Sequence, residues 1–145
     1  MREYKIKKTA LDKILSYFND FSFETGGAIG IKNNVITMFY PLENEDTTGG
    51  CFIPTIDSLN EANDFFDQND TEFSGVIHSH PVSKFGDGIN LPSKNDKNFY
   101  ANFIEANRQF KRLIVPIITL KKGQKDIAWY IYEKGELTEL KIQII

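Results

Sequence analysis

The chain has two histidines, and both fall within Gly75-Val76-Ile77-His78-Ser79-His80-Pro81. The run Phe73–His80 reads as a strand, where residues two apart face the same side. His78 and His80 then present two imidazoles together, while Ser79 points away. Imidazoles so placed can share one metal ion, each at about 2.0–2.1 Å. Pro81 has no N–H to give to a sheet ladder and ends the strand, at a position where sites commonly open. Histidine pairs also occur in strands with no metal, so a third ligand is needed before the chemistry follows.

Pro92-Ser93-Lys94-Asn95-Asp96 supplies a candidate. It reads as a helix start, with Ser93 as the cap and Asp96 in the first turn, complementing the helix dipole. A carboxylate held in a first turn is rigid and can be aimed at a strand end. His78, His80 and Asp96 would leave a fourth tetrahedral position for water, the catalytic arrangement for zinc; structural zinc sites are closed, often by several thiolates. The chain has a single cysteine, so a closed thiolate site is excluded. A hydrolytic zinc also needs a base. The helical His-Glu-x-x-His pattern is absent. Among the carboxylates, Glu24 in Phe-Glu-Thr-Gly-Gly-Ala-Ile-Gly stands at a junction between a helix and an apolar strand, where an acid becomes partly enclosed. The plainer reading is a surface glutamate in a loop. Asp87 competes with Asp96 as the third ligand. Cys51 has no histidine near it in sequence and reads as a small half-buried residue rather than a nucleophile.

The elements that would hold these residues follow from periodicity. Leu11, Ile14, Leu15 and Phe18 predict a helix over 9–20, capped by Thr9. Residues 26–41 read as two strands joined at Asn33-Asn34, since asparagine tolerates positive φ. A loop over 42–50 leads to a short strand at 51–54. Helices are expected over 55–68 and 93–110, with a loop over 82–92 between the histidine strand and the second of these. Residues 112–120 read as one buried strand, and 127–133 with 136–145 as a closing hairpin turning near Lys134-Gly135. The result is a single domain, α/β or α+β, on a mixed sheet.

At 145 residues the chain suits one core, and 41% hydrophobic with 26% charged residues is ordinary for a globular protein. A net charge of -3 and a pI near 5.4 count against nucleic acid as a partner, apart from a local patch at Arg108, Lys111 and Arg112. The longest apolar run is too short to span a bilayer, and the charged N-terminus lacks a secretory apolar stretch. One lone thiol fits a reducing compartment. These features point to the cytoplasm, with no membrane partner.

Glu24 in Glu-Thr-Gly-Gly-Ala-Ile-Gly, then His78-Ser79-His80-Pro81, then Ser93-Lys94-Asn95-Asp96, together resemble the JAMM signature of the JAB/MPN domain zinc metalloproteases, and look most like the prokaryotic stand-alone branch. By motif the resemblance covers residues 24–96, and by element order nearly the whole chain. It implies a curved mixed β-sheet with helices packed around it. It makes His78, His80 and Asp96 zinc ligands, Glu24 the general acid/base and Ser93 a hydrogen-bond donor to the developing oxyanion, a role worth roughly 3–4 kcal/mol in general. The implied activity is cleavage of an isopeptide or peptide bond beside a ubiquitin-like or sulfur-carrier protein. Activating or conjugating enzyme homologues would then be partners. The substrate's extended tail would lie between the loops at 42–50 and 82–92, added as a strand to a sheet edge. Residues 81–92 form a longer spacer before the serine than the best-known members have. Related branches supply rival readings: a non-catalytic MPN scaffold, a DNA-repair-associated RadC-like protein, and a peptidoglycan or phage-tail peptidase.

Overall fold

The structure is a computed structural model and describes residues 3–48, 50–82 and 88–145. Its elements, in chain order, are β1 (Glu3–Ile6), α1 (Lys8–Tyr17), β2 (Gly26–Lys32), β3 (Val35–Leu42), α2 (Ile56–Gln68), β4 (Glu72–Ser79), α3 (Lys94–Ala106), β5 (Arg112–Ile114), β6 (Ile117–Lys121), β7 (Gln124–Ala128), β8 (Tyr130–Glu133), β9 (Glu136–Glu139) and β10 (Lys141–Ile144). The strands form one mixed sheet in the order β10-β1-β3-β2-β4-β5-β8-β9, with β6 pairing β4 and β7. This is the α+β architecture on a mixed sheet that the sequence led us to expect. Both ladders of β2 shift register around Gly30, and such irregularities bend a strand.

Alternation along the central strands splits the core into two layers. Ile29 of β2 and Ile77 of β4 join Ala10 and Ile14 of α1, and Phe18 just past its end, on one face. Ala28 and Val76 join Ala62 and Phe66 of α2 and Tyr100 and Phe103 of α3 on the other. His78 shares its face with Val76, the face that carries α3. Inside the layer under α2 and α3, Phe73 and Phe103 stack with ring centroids 5.8 Å apart, and Phe110 packs on both. Phe110 lies beyond the end of α3, which stops at Ala106 rather than 110.

Several expectations are corrected. The N-terminus contributes a strand, β1, which lies parallel to both β3 and β10. No local turn announces a strand joined only by long-range parallel pairing. Helix α1 starts at Lys8, with Lys7 at the cap position and no side-chain cap, so Thr9 sits inside the helix. Residues 51–54 make no strand; Pro54 forms only an isolated bridge to Asn44. The apolar run 112–120 divides at Val115-Pro116. Proline cannot donate to a ladder, and past this point the chain leaves β8 to pair with β7. The final segment is not one hairpin. β7 and β8 are separate, β8 and β9 turn at Lys134 (φ 53) and Gly135 (φ 75), and β10 crosses to the far edge of the sheet.

Gly75 shows how closely the strands approach beside the histidines. A Cβ there would lie 1.8 Å from the Ile114 carbonyl oxygen of parallel β5. Backbone cannot yield as a flexible side chain does. Gly75→Ala is therefore expected to cost about 3 kcal/mol or more, read as a fall in the urea midpoint; an unchanged midpoint would show that β5 shifts freely.

Candidate metal centre

Strand β4 delivers the two imidazoles to one side of the sheet. The His80 N–H donates to Ile118 O at 3.0 Å, so residue 80 stays tied to β6 after β4 ends. Ser79 faces the other way but is not idle. Its hydroxyl accepts the Thr25 N–H at 2.9 Å, and its own N–H donates to Thr25 O at 2.8 Å. These bonds moor Thr25, and so Glu24 beside it, against the histidine strand. Asn44 completes the mooring. Its amide donates to Glu24 O at 3.1 Å and to Cys51 O at 2.9 Å, and its oxygen accepts the Asp46 and Ile53 N–H groups. Both donors and both lone pairs are used. The parity of residue 79 put it on the opposite face but did not reveal its partner. Nothing local marked Asn44.

Helix α3 brings the fourth group. Ser93 is its cap, the hydroxyl accepting the Asp96 N–H at 3.1 Å while an Asp96 oxygen accepts the Ser93 N–H at 2.9 Å, a reciprocal capping box. The box holds the Asp96 carboxylate rigid, with both oxygens toward β4. The Ser93 hydroxyl proton is not consumed by the box and is free to donate.

Glu24, His78, His80 and Asp96 each offer one ligand atom within 4.8 Å of all the others, at only 8%, 3%, 8% and 6% exposure. His78 Nε2 and His80 Nε2 are 3.0 Å apart. Asp96 Oδ1 lies 3.1 Å from the first and Oδ2 lies 2.9 Å from the second. The nearest Glu24 oxygen, Oε1, is 3.8 Å from His78 Nε2. His80 Nδ1 is 2.6 Å from Ile89 O. A carbonyl only accepts, so Nδ1 carries a proton, and Nε2 is the ring atom turned toward His78 and Asp96. Phe52 lies parallel to the His78 ring at 6.1 Å, over Gly26, where a Cβ would come within 2.5 Å of the Phe52 ring.

Three electron-rich groups converging this tightly repel one another unless a proton or cation lies between them. Tetrahedral zinc with bonds near 2.0–2.1 Å separates its ligand atoms by about 3.3 Å. The His78–His80 separation of 3.0 Å comes close to that value, and each imidazole has one of the two Asp96 oxygens at 2.9–3.1 Å. Glu24 stands slightly farther out, and its buried Oε1 has no hydrogen-bond partner among the described residues. Nitrogen and carboxylate donors of this kind fit zinc, with one acid left over.

The charge states agree with one enclosed network. Burial raises the Glu24 carboxyl from 4.5 to about 7; His80 opposes the shift and Asp96 adds to it. Burial would also raise Asp96, but hydrogen bonds from His78 and His80 outweigh it and hold this carboxyl well below the usual range. Burial lowers His80, yet its bonds to Asp96 and the Ile89 carbonyl leave it above the ordinary histidine value. In metal-free protein the Glu24 contribution to stability is thus fully present below about pH 4.5 and is lost as pH rises through about 7. A glutamine mimics the neutral acid. The parent should therefore lose urea resistance relative to Glu24→Gln between pH 5 and 8 in the presence of chelator; a gap that stays constant with pH would contradict the enclosure of Glu24.

A groove of about 330 Å³ opens beside Asp96, lined by Cys51, Phe52, Ile53, Asn95, Asn98, Phe99 and Asn102. A larger cleft of about 540 Å³ lies at the other end of β2, by Lys32, Asn33 and Asp67, and no histidine lines it. Burial pushes the Cys51 thiol up, and Asp46 and Glu24 add to the shift, which disfavours the reactive thiolate. Asp87 lies outside the described residues. Of the basic patch, Arg108 pairs with Glu105 at 2.6 Å and Arg112 with Glu133 at 3.5 Å. Among the described residues no helix is long and apolar enough to cross a membrane.

No protein-family model matches the chain, and no curated protein matches it by sequence. Solved structures do. A protein from Desulfitobacterium hafniense, known from its solution structure, superposes with a TM-score of 0.74 at 20% identity, covering 98% of this chain and 92% of its own. A JAB1/MPN domain protein from Archaeoglobus fulgidus superposes with a TM-score of 0.52 at 19% identity, covering 96% of this chain and 98% of its own. At such identities the likeness speaks for the fold: this chain has a JAB1/MPN-like α+β fold, and it carries a buried Glu–His–His–Asp group able to hold a metal ion.

Proposed function

We propose that the chain is a zinc-dependent metallopeptidase of the JAMM type, cleaving an amide bond beside the tail of a ubiquitin-like or sulfur-carrier-like protein. The observation that carries this reading is the division of labour within the buried group. Three side chains lie within 2.9–3.1 Å of a neighbour, and a fourth acid is left with an unpartnered oxygen.

His78, His80 and Asp96 would hold the zinc, which supplies the Lewis acidity that lowers the pKa of water to about 7 and polarises a carbonyl. Glu24 accepts the proton of the attacking water. A buried carboxyl 3.8 Å from the nearest imidazole nitrogen, just outside the ligand set, is placed both to accept and to return a proton. The same group then delivers that proton to the leaving amine, a lysine side chain or an α-amine. The Ser93 hydroxyl, whose lone pair is engaged by Asp96 N–H, directs its proton to the oxyanion as charge develops there. The groove beside Asp96 takes an extended chain, with Phe52 and Phe99 as its apolar wall and Asn95, Asn98 and Asn102 as neutral partners for peptide groups. An intact four-residue group argues against a scaffold that has lost its chemistry.

The reading is tested by elemental analysis for zinc and by incubation with ubiquitin-like fusion proteins in parallel with peptidoglycan fragments. Release of the fusion partner, abolished by a chelator and restored by zinc, is the expected result. Zinc binding with cleavage of peptidoglycan alone would move the activity to the cell-wall class. A protein that binds no zinc would return it to the scaffold class.

A further inference from the structure

The spacer between His80 and Ser93 does more than connect β4 to α3. We infer that Asn90, held by Asp126 and Tyr130, is a positioning residue that fixes the His80 ring by keeping the Ile89 carbonyl against Nδ1. The inference rests on His80 being a metal ligand, as proposed above.

A neutral imidazole binds metal through the nitrogen that lacks a proton, so the acceptor facing the other nitrogen decides which one is available. Here that acceptor is a single main-chain oxygen, Ile89 O, 2.6 Å from Nδ1. Ile89 cannot anchor itself, because its side chain is 67% exposed. The anchoring comes from the residues on either side. Gly88 N–H donates to Leu120 O at 2.9 Å. Asn90 Nδ2 donates to Asp126 Oδ2 at 2.7 Å, a charge-assisted bond. The Tyr130 hydroxyl donates to Asn90 O at 2.9 Å. Leu120, Asp126 and Tyr130 belong to β6, β7 and β8.

The same β6 holds His80 itself. Ile118 O accepts the His80 N–H at 3.0 Å, and the buried Thr119 hydroxyl donates to His80 O at 3.1 Å. Gly88 passes so close to Thr119 that a Cβ would fall 1.7 Å from its hydroxyl oxygen. Ring and acceptor are thus referred to one rigid frame, although the residues that align them lie far apart in the chain. The Asn90 and Asp126 side chains bond each other and no metal ligand, and the Ile89 carbonyl is the short route from them to His80.

The chain's two histidines make the test direct. Nitrogen-15 NMR of histidine-labelled, metal-free protein reports the proton on His80 Nδ1 and how fast it exchanges with water. The parent should show a slowly exchanging Nδ1 proton, held by the Ile89 carbonyl. Asn90→Ala and Asp126→Ala should each speed that exchange and weaken zinc binding by about 10- to 100-fold, measured by chelator competition. Asp126→Asn keeps an acceptor oxygen and should preserve both the slow exchange and the affinity. Thermal unfolding of each variant confirms that the fold is retained. Should Asn90→Ala and Asp126→Ala both keep the slowly exchanging Nδ1 proton and parental zinc affinity, the inference is overturned. Should the exchange quicken in those variants while even the parent binds no zinc, the positioning role stands and the metallopeptidase reading fails.

Discussion

Glu24→Gln is expected to bind zinc as the parent does and to lose turnover by about 10²- to 10⁴-fold, the range a positioned acid–base group contributes. Glutamine has nearly the same shape, so the mooring of this segment by Ser79 and Asn44 through backbone groups is untouched. It cannot take a proton from water. Since Glu24 stands 3.8 Å from the nearest imidazole nitrogen while the other three groups close to about 3 Å, the substitution should spare the ligand set. Burial already raises the acid, so the neutral side chain should leave the metal-free fold at least as stable at neutral pH. The measurement pairs zinc stoichiometry with single-turnover rates on a cleavable fusion. Full activity in the variant would show that another group moves the proton. Loss of zinc along with activity would make Glu24 a ligand.

The second large effect concerns the metal itself. His80→Ala should abolish stoichiometric zinc, because it removes one of three ligands and leaves His78 and Asp96 facing a gap. In the parent, zinc at 1,000 times its dissociation constant stabilises the folded chain by about 4 kcal/mol. For a domain of this size that corresponds to a rise of roughly 8–16 °C in melting temperature. The variant should show almost none of that rise. Zinc-induced stabilisation should also strengthen with pH, since the imidazoles must be neutral to bind. Calorimetric melting with zinc and with chelator decides the matter. An equal zinc-dependent shift in parent and His80→Ala would place the ion elsewhere.

Much of the site could be read from short stretches because its parts are local. The period of two in a strand put His78 and His80 on one side. The Ser-x-x-Asp spacing closed a capping box between residues three apart. Asn33-Asn34 took the positive φ values, 53 and 62, that a tight turn demands. Such features need only neighbouring residues, so the local alphabet encodes them. The fork at Pro116 had a visible cause, the missing N–H, but its outcome depended on which strand lay alongside.

What the linear order of residues settled was the inventory: one strand carrying both imidazoles, one helix opening on an acid, one glutamate ahead of an apolar strand. Folding alone settled how these meet. Glu24 reaches the histidines because Ser79 and Asn44 grip its neighbourhood across 54 and 20 residues. His80 Nδ1 meets the Ile89 carbonyl, which is anchored from 36 residues away through Asn90. β1 and β10, from opposite ends of the chain, pair at the sheet edge. Hydrogen bonds of this kind carry no periodicity and depend on which backbones come side by side, so they form only once the core has brought the strands and helices into place.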